Sequence, residues 1–204
     1  MSRIVLVNQS STPDDAGSGN AQLFVEDNKV YKQVGTDSAQ EITRGKVLQV
    51  VNYTLQDGVS TTSNTFVDSP LSAAITPTVA SSKIKITYHV IGGSSNGVGV
   101  PLRIKRDIGG TTAFNILTAA SDGSQPAGEA TTYYSGYAGS NYVGFHMGIV
   151  VLDTPNTTNE VKYIIQFCET YSTMTAAYIN YGPKHAQDYA YNSCSSITLE
   201  EIAV

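Results

Sequence analysis

The chain has 204 residues, with 12 basic and 17 acidic side chains and a formal net charge of −5. Only 14% of the residues are charged, whereas Ser and Thr together number 43, and this shortage of Glu, Lys and Arg excludes a largely helical protein. The chain has no excess of Lys and Arg, which a nucleic-acid-binding protein uses to contact phosphates. No apolar run approaches the roughly 18 residues that a membrane-spanning helix needs.

The first predicted elements are short and form an N-terminal module over residues 1–44. A strand over Ile4–Val7 precedes a polar loop at 10–20 and a hairpin over residues 21–34. The hairpin turn at 26–29 contains Asp and Asn, which tolerate turn conformations. The apolar start of the chain is too short for an export signal. Because one hairpin buries little area, we expect this module to need a partner, either a second domain or other copies of the chain.

Residues 45–204 are predicted to form a β-sandwich, so the fold class is all-β. Runs of β-branched and aromatic residues recur between turn signals, and in residues 82–91 apolar and polar side chains alternate as in a half-buried strand. We expect the stretch 92–97 to end that strand, and Ser69-Pro70 to end another. Eight or nine strands favour a jelly roll of two packed sheets. The predicted strands are 46–55, 64–68, 82–91, 98–106, 112–117, 142–152, 161–169, 175–181 and 195–203.

No catalytic motif is present in the sequence, so we predict that the chain is not an enzyme and binds no cofactor. The three histidines fall on different predicted elements and share no spacing. His89 is expected on a strand surface, His146 in the core or an interface, and His185 in a loop. There is no nucleophile elbow, zinc-binding helix motif or phosphate-cradling glycine loop. Glu200 and Glu201 are adjacent on a strand, so they point to opposite faces and cannot act on one substrate.

Metal and disulfide chemistry are equally sparse. Cys168 and Cys194 are too few for a disulfide scaffold, and we expect two unpaired thiols with Cys168 buried. Oxygen ligands for a calcium ion are available in the turn after the predicted strand 142–152, but a plain turn is the favoured interpretation. These candidate oxygen ligands are Asp153, Asn156, Asn159 and Glu160.

The 13 tyrosines are the most informative residue type, because they cluster among Gly, Ser, Ala and Asn. Tyrosine among small polar residues is typical of contact surfaces, since its rigid ring supplies area and its hydroxyl a hydrogen bond. Packing between identical subunits is the leading interpretation; a glycan-binding platform or outer loops that cap the sandwich are the alternatives. The clustered residues are Tyr133, Tyr134, Tyr137, Tyr142, Tyr178, Tyr181, Tyr189 and Tyr191.

The order of several short motifs gives a resemblance to a known family. Pro13, Gly17–Asn20, Ala21–Tyr31 and Glu41-Ile42 resemble a hairpin module found in tailed-phage fibre and decoration proteins. The rest of the chain resembles the jelly-roll knob of the same proteins, which is similar in layout to trimeric tumour-necrosis-factor and C1q-like knobs. The motifs of the second part are Gly45–Val50, Phe66–Leu71, Ile75–Pro77, Ser81–Ile84, Leu152–Pro155 and Ser196–Ile202.

The resemblance implies a homotrimer on a phage particle and transfers no catalytic residue. A head decoration (cement) protein on the outer capsid surface is favoured, because the chain begins at Met1 and has no long shaft. Its expected partners are two further copies of itself and the major capsid protein. The alternatives are a fibre tip that binds a host surface glycan or protein, and a non-viral sugar-binding or cytokine-like module. The residues expected to contact the capsid are Ile4, Val5, Val7, Pro13, Asp14 and Asp15.

Overall fold

The structure is a computed structural model, and every regular element among the residues that it describes is a β-strand. It describes residues 8–9, 20–27, 29–41, 45–94, 100–110, 112–115, 130–132, 143–169, 176–181 and 193–204. In this part of the chain no helix is long and apolar enough to span a membrane. The strands are β1 (Asn8–Gln9), β2 (Ala21–Glu26), β3 (Lys29–Val34), β4 (Gln40–Glu41), β5 (Val47–Leu55), β6 (Val59–Thr61), β7 (Val67–Ile75), β8 (Lys83–Ser94), β9 (Val100–Ile108), β10 (Thr112–Asn115), β11 (Ala130–Thr132), β12 (Val143–Asp153), β13 (Val161–Phe167), β14 (Ala177–Ile179) and β15 (Ser195–Ile202).

The chain packs as two compact units. The hairpin unit consists of residues 1–46 with 203–204, and the sandwich unit consists of residues 47–202. The role predicted for each unit, attachment for the first and an outer knob for the second, remains a prediction.

The hairpin unit contains a four-stranded sheet in the order β1-β2-β3-β4. Strands β2 and β3 pair antiparallel from Ala21 opposite Val34 to Glu26 opposite Lys29, which confirms the predicted hairpin. Asp27 has a φ of 48°, the left-handed conformation that tight hairpin turns require.

Few side chains are buried among the described residues of the hairpin unit. Phe24 is 3% exposed, and its ring stacks on that of Tyr31 on the paired strand with centroids 5.4 Å apart. Gln33 is also buried, where its Nε2 donates to the carbonyl oxygen of Asp37 at 2.9 Å. Leu23 and Val34 are 55% and 43% exposed, so one face of this sheet leaves apolar surface uncovered within a single copy of the unit.

The sandwich unit packs a five-stranded sheet against a six-stranded sheet, and the all-β sandwich prediction is confirmed. The first sheet has the order β10-β9-β13-β7 with β11 also on β9, and the second has the order β5-β15-β8-β14-β6 with β12 on the other side of β8. The trimeric state stays a prediction. Side chains of both sheets form one core, whose largest fully buried members are Tyr88, Tyr163, Phe167, Leu71, Ile84, Ile86, Leu102, Ile104, Ile165, Ile179, Ile197 and Leu199.

Two predicted strand ends are wrong. Strand β7 runs through Ser69-Pro70, because β7 is an edge strand and bulges there, with residues 69–71 opposite the single residue Ile165 of β13. A proline is tolerated there, since the ladder needs no N–H donor at that position. The Ser69 hydroxyl donates to the carbonyl oxygen of Ile165 at 2.6 Å and accepts the Leu71 N–H at 3.2 Å, which further bridges the irregularity.

The second misplaced end is the glycine stretch after residue 91. Strand β8 continues through Gly92 and Gly93 to Ser94, where β12 pairs along one edge and β14 along the other. Pairing on both edges supplies hydrogen bonds that outweigh the weak strand propensity of glycine. Strand β6 was also missed, because three residues carry too little of an alternating pattern.

Candidate functional site

The outward-facing side of the six-stranded sheet, called the outer face below, is the most distinctive described surface of the sandwich unit. Outward side chains alternate with core side chains along β8, β12 and β15. At one end of the face, Lys85 and Glu200 form an ion pair with Nζ and Oε2 2.5 Å apart. Next to this pair, Val150 and Leu152 on β12 are 60% and 55% exposed. The face therefore combines uncovered apolar surface with paired charges, as protein contact surfaces do.

Near the middle of β8, two histidines meet on the outer face. Gly148 on β12 lies directly opposite His89 on β8, so His146, two residues from Gly148, is the diagonal neighbour of His89. The ring centroids are 4.1 Å apart with an interplanar angle of 56°, and the two Nε2 atoms face each other within hydrogen-bonding distance. Partial burial, and then the neighbouring His146, lower the pKa of His89 below its usual value.

A buried carboxylate anchors the inner side of the same sheet. Glu201 on β15 accepts hydrogen bonds from Gln49 Nε2 at 2.6 Å, the Thr78 N–H at 2.7 Å and the Thr78 hydroxyl at 2.8 Å. Burial alone raises the pKa of Glu201, but these hydrogen bonds outweigh it and hold the pKa below the ordinary glutamate value. Glu201 thus ties β5, β15 and the connection between β7 and β8 together.

A second buried charge links the two sheets of the sandwich unit. Arg106 on β9 donates to both carboxylate oxygens of Asp153 on β12 at 2.8 Å, and the Tyr163 hydroxyl on β13 donates to one of them at 2.9 Å. Burial, followed by the negative charge of Asp153, raises the pKa of Tyr163 so that it stays protonated.

This pairing bears on the calcium alternative, because the Asp153 carboxylate is directed at Arg106 and Tyr163 and not into the turn. Asn156, one of the other candidate oxygen ligands, is exposed with a φ of 53°. Among the described residues, no group of three or more His, Cys, Asp or Glu side chains is placed to hold a metal ion.

The outward side of the five-stranded sheet carries a polar chain. Lys105 Nζ donates to Asp68 at 2.7 Å, Gln166 Nε2 donates to the same carboxylate at 2.5 Å, and Arg103 Nε donates to Gln166 at 2.7 Å. The Arg103 guanidinium lies 3.9 Å from the ring centroid of Phe66. Burial acts to raise the pKa of Asp68, but the bonds from Lys105 and Gln166 outweigh it and leave that pKa lowered. The charged and polar side chains of this chain hydrogen-bond to one another, which is typical of a solvent-facing sheet surface.

Two of the clustered tyrosines, Tyr178 and Tyr181, are among the described residues, and they lie at one end of the six-stranded sheet. Tyr178 on β14 and Tyr181 just after it are half-buried, with ring centroids 5.0 Å apart. Tyr181 packs against Gly58, where any side chain would overlap its ring. Asn180 between them is buried and donates to the carbonyl oxygens of Leu55 and Asp57 at 2.7 and 2.9 Å, which fixes this corner. The part of these tyrosines in subunit contact remains a prediction.

The other predicted site residues lie outside the described residues. They are Ile4, Val5, Val7, Pro13, Asp14, Asp15, Tyr133, Tyr134, Tyr137, Tyr142, Tyr189 and Tyr191, together with His185.

Several predictions about single residues have a clear outcome. Both cysteines are free; Cys168 is buried and burial raises its pKa to about 11, whereas Cys194 is exposed. Glu200 and Glu201 do face opposite sides of the sheet. The core alternative for His146 is wrong, because it lies exposed on the outer face. The meeting of His89 and His146 was missed; both occupy outward positions of their strands, but only the pairing register brings them together.

No family model and no curated protein matches the sequence. The chain is similar to a chain in the structure of infectious bursal disease virus, Gx strain. The sequence identity is 14%, the match covers 85% of this chain and 48% of that chain, and the TM-score is 0.37. For the structure of the Gt strain, the identity is 13%, the coverage is 87% of this chain and 45% of that chain, and the TM-score is 0.39. For the VP2 subviral particle of infectious bursal disease virus, the identity is 11%, the coverage is 86% of this chain and 48% of that chain, and the TM-score is 0.37. The chain spans about half the length of each of these viral chains.

Proposed function

We propose that the chain is a structural protein of a virion, a homotrimeric head decoration (cement) protein that binds the outer capsid surface of a tailed phage. It acts by binding and not by catalysis. Binding only the assembled shell stabilises that shell by mass action, because free energy of association is added to one state alone. The sequence resemblance to phage decoration and fibre modules motivates the choice of particle.

The observation that carries the proposal is the small number of buried side chains among the described residues of the hairpin unit. Phe24 is the one buried apolar side chain among its described residues, while Leu23 and Val34 stay exposed. A sheet of four short strands whose described residues bury so few side chains fits a unit that gains stability from a partner. Association of three copies, or contact with a capsid protein, would cover this surface, and closed symmetry would prevent open-ended growth.

The test is the copy number of the chain on purified particles, measured by quantitative mass spectrometry against the major capsid protein. A decoration protein is expected in numbers comparable to those of the capsid protein, and its removal is expected to lower the temperature at which the shells open. A few copies per particle, or shells whose stability does not change on removal, would contradict the decoration role.

A second candidate function is a fibre tip that binds a host surface glycan. The half-buried Tyr178–Tyr181 pair favours it, because tilted aromatic rings at the end of a sheet offer both apolar area and hydroxyl groups. Glycan-array binding that is lost in Tyr178→Ala, together with a low copy number per particle, would support this function over decoration.

A further inference from the structure

The outer face has an ordered row of side chains across four adjacent strands. The pairing register places one outward residue of each strand in this row, and directly paired residues share a face. The row consists of Val50 on β5, Glu200 on β15, Lys85 on β8 and Leu152 on β12. Val50 and Leu152, at the two ends, are 59% and 55% exposed. The row therefore reads apolar, negative, positive, apolar.

The same order extends along the strands. Lys83 is a second outward cation on β8, two residues before the row. Val150 on β12, two residues from the other end of the row, is 60% exposed. The positions across the sheet from Val150 are uncharged and are occupied by Thr87, Thr198 and Asn52. The half of the outer face next to β12 is thus apolar and cationic, and the half next to β5 contains the anion.

Both ends of the row lie on strands that pair along one edge in the described part of the chain. There β5 pairs with β15 alone, and β12 pairs with β8 alone. The sequence of β5, Val47–Leu55, contains no charged residue and no proline. Charged residues and proline are the devices by which exposed edge strands avoid other chains. The β5 edge is therefore open to contact with another molecule.

We propose that the outer face is a contact surface between copies of this chain, with the β5 edge of one copy packed against the β12 edge of the next. This contact covers Val50 with Leu152 and brings Glu200 of one copy towards Lys85 of its neighbour. A contact between two like edges would instead bring Lys85 towards Lys85, or Glu200 towards Glu200, which costs affinity. Because the two edges differ, the contact is head to tail and closes into a ring.

The charges favour a second copy over a partner of uniform charge. Among the described outward residues of these four strands, the cations Lys83 and Lys85 lie on β8 and the anion Glu200 lies on β15. Nucleic acid or an anionic glycan would meet one attractive half and one repulsive half of this face. A second copy presents both halves in the matching order. The inference rests on the proposed function for the number of copies and on the sandwich unit alone for the surface.

The direct test is cross-linking of Val50→Cys/Leu152→Cys by a short bismaleimide reagent, in a Cys194→Ser background that keeps the buried Cys168. A covalent trimer is expected. Val50→Cys alone is expected to give no cross-linked product, because a head-to-tail contact does not join two copies of one position. The matched control is Val79→Cys/Leu152→Cys, since Val79 is 51% exposed but lies in the connection between β7 and β8. This control is expected to stay uncross-linked.

A charge placed in the contact gives a second readout. Val150→Glu puts a negative charge opposite the Glu200 side of the neighbouring copy, so association measured by sedimentation is expected to weaken at least about tenfold. Val79→Glu is the control and is expected to associate as the unmodified chain does. Circular dichroism checks the fold of each variant, and both positions are exposed.

The outcomes separate this inference from the proposed homotrimer. A cross-linked dimer in place of the trimer would support the contact and contradict the homotrimer. A trimer in which Val50→Cys/Leu152→Cys gives no cross-linked product, or whose mass is unchanged in Val150→Glu, would overturn the inference and leave the homotrimer standing. A monomeric unmodified chain would overturn both.

Discussion

The hairpin unit and the sandwich unit differ in how they remove apolar side chains from water. Among the described residues of the hairpin unit, Phe24 is the one buried apolar side chain, and its ring stacks on that of Tyr31. In the sandwich unit, two sheets enclose a continuous core, and the polar groups inside it are tied by the Glu201 and Asp153 networks. This difference supports the proposal that the hairpin unit needs a partner surface, whereas the sandwich unit has a core within one copy.

We expect the removal of the Asp153 carboxylate to cause the largest loss of stability in the sandwich unit. Asp153→Ala leaves Arg106 with its charge in a site from which water is largely excluded, so we expect a loss of about 3–5 kcal/mol in the free energy of unfolding. The matched variant Tyr163→Phe removes one hydrogen bond to the same carboxylate and is expected to cost about 1.5–3 kcal/mol. Denaturant unfolding measures both. A smaller loss for Asp153→Ala than for Tyr163→Phe would contradict this description of the cluster.

The hydrogen bonds to Glu201 make the stability of the sandwich unit depend on pH. The pKa of Glu201 is lowered in the folded state, so its contribution is complete above the ordinary glutamate value of about 4.3 and is lost as pH falls through the folded-state pKa. Glu201→Gln is expected to cost about 1.5–3 kcal/mol at neutral pH. In acid the two proteins should converge in stability, and a gap that stays constant down to low pH would show that ionised Glu201 does not stabilise the fold.

The corner at Gly58 tests packing at the end of the sandwich unit. A Cβ at this position would overlap the Cδ1 and Cε1 atoms of Tyr181, so Gly58→Ala is expected to cost about 1–3 kcal/mol. Gly148→Ala is the control, because its Cβ would meet only the Tyr88 carbonyl oxygen at 3.4 Å, and a change within about 0.5 kcal/mol is expected. Thermal melts of both variants give the comparison; equal effects would contradict the close packing of Tyr181.

The smallest effect on the sandwich unit is expected from a change in the hairpin unit. Phe24→Ala removes the buried ring of the hairpin sheet, so amide protection in β2 and β3 should fall sharply. The unfolding free energy of the sandwich unit should change by no more than about 0.5 kcal/mol. Hydrogen exchange with peptide resolution separates the two responses. Equal loss of protection in β8 would show that the two units unfold together.

Much of the fold was predictable because burial follows local alternation. Ile84, Ile86, Tyr88 and Val90 are all buried as the period of two in residues 82–91 predicts. The pattern failed where pairing partners decide the outcome. Pro70 is tolerated because it lies in a bulged segment of an edge strand, and Gly92 is held by strands on both sides. Neither arrangement can be identified from local sequence.

The contact between the two outer-face histidines could not be predicted from local sequence either. Each could be placed on an outward position from its own strand, but their contact spans 57 residues of sequence and depends on the register of β8 with β12. A shift of one residue would turn the His146 side chain to the core. The carboxylate roles of Asp153 and Glu201 were likewise set by partners on other strands.

The proposed dependence of the hairpin unit on a partner is tested most directly by the mass of the purified chain in solution. Sedimentation equilibrium on the unmodified protein and on Phe24→Ala is the measurement. We predict three times the chain mass of 21.7 kDa for the unmodified protein and a lower trimer fraction for Phe24→Ala. A monomer of 21.7 kDa whose β2 and β3 amides are nevertheless as protected as those of β8 would contradict it.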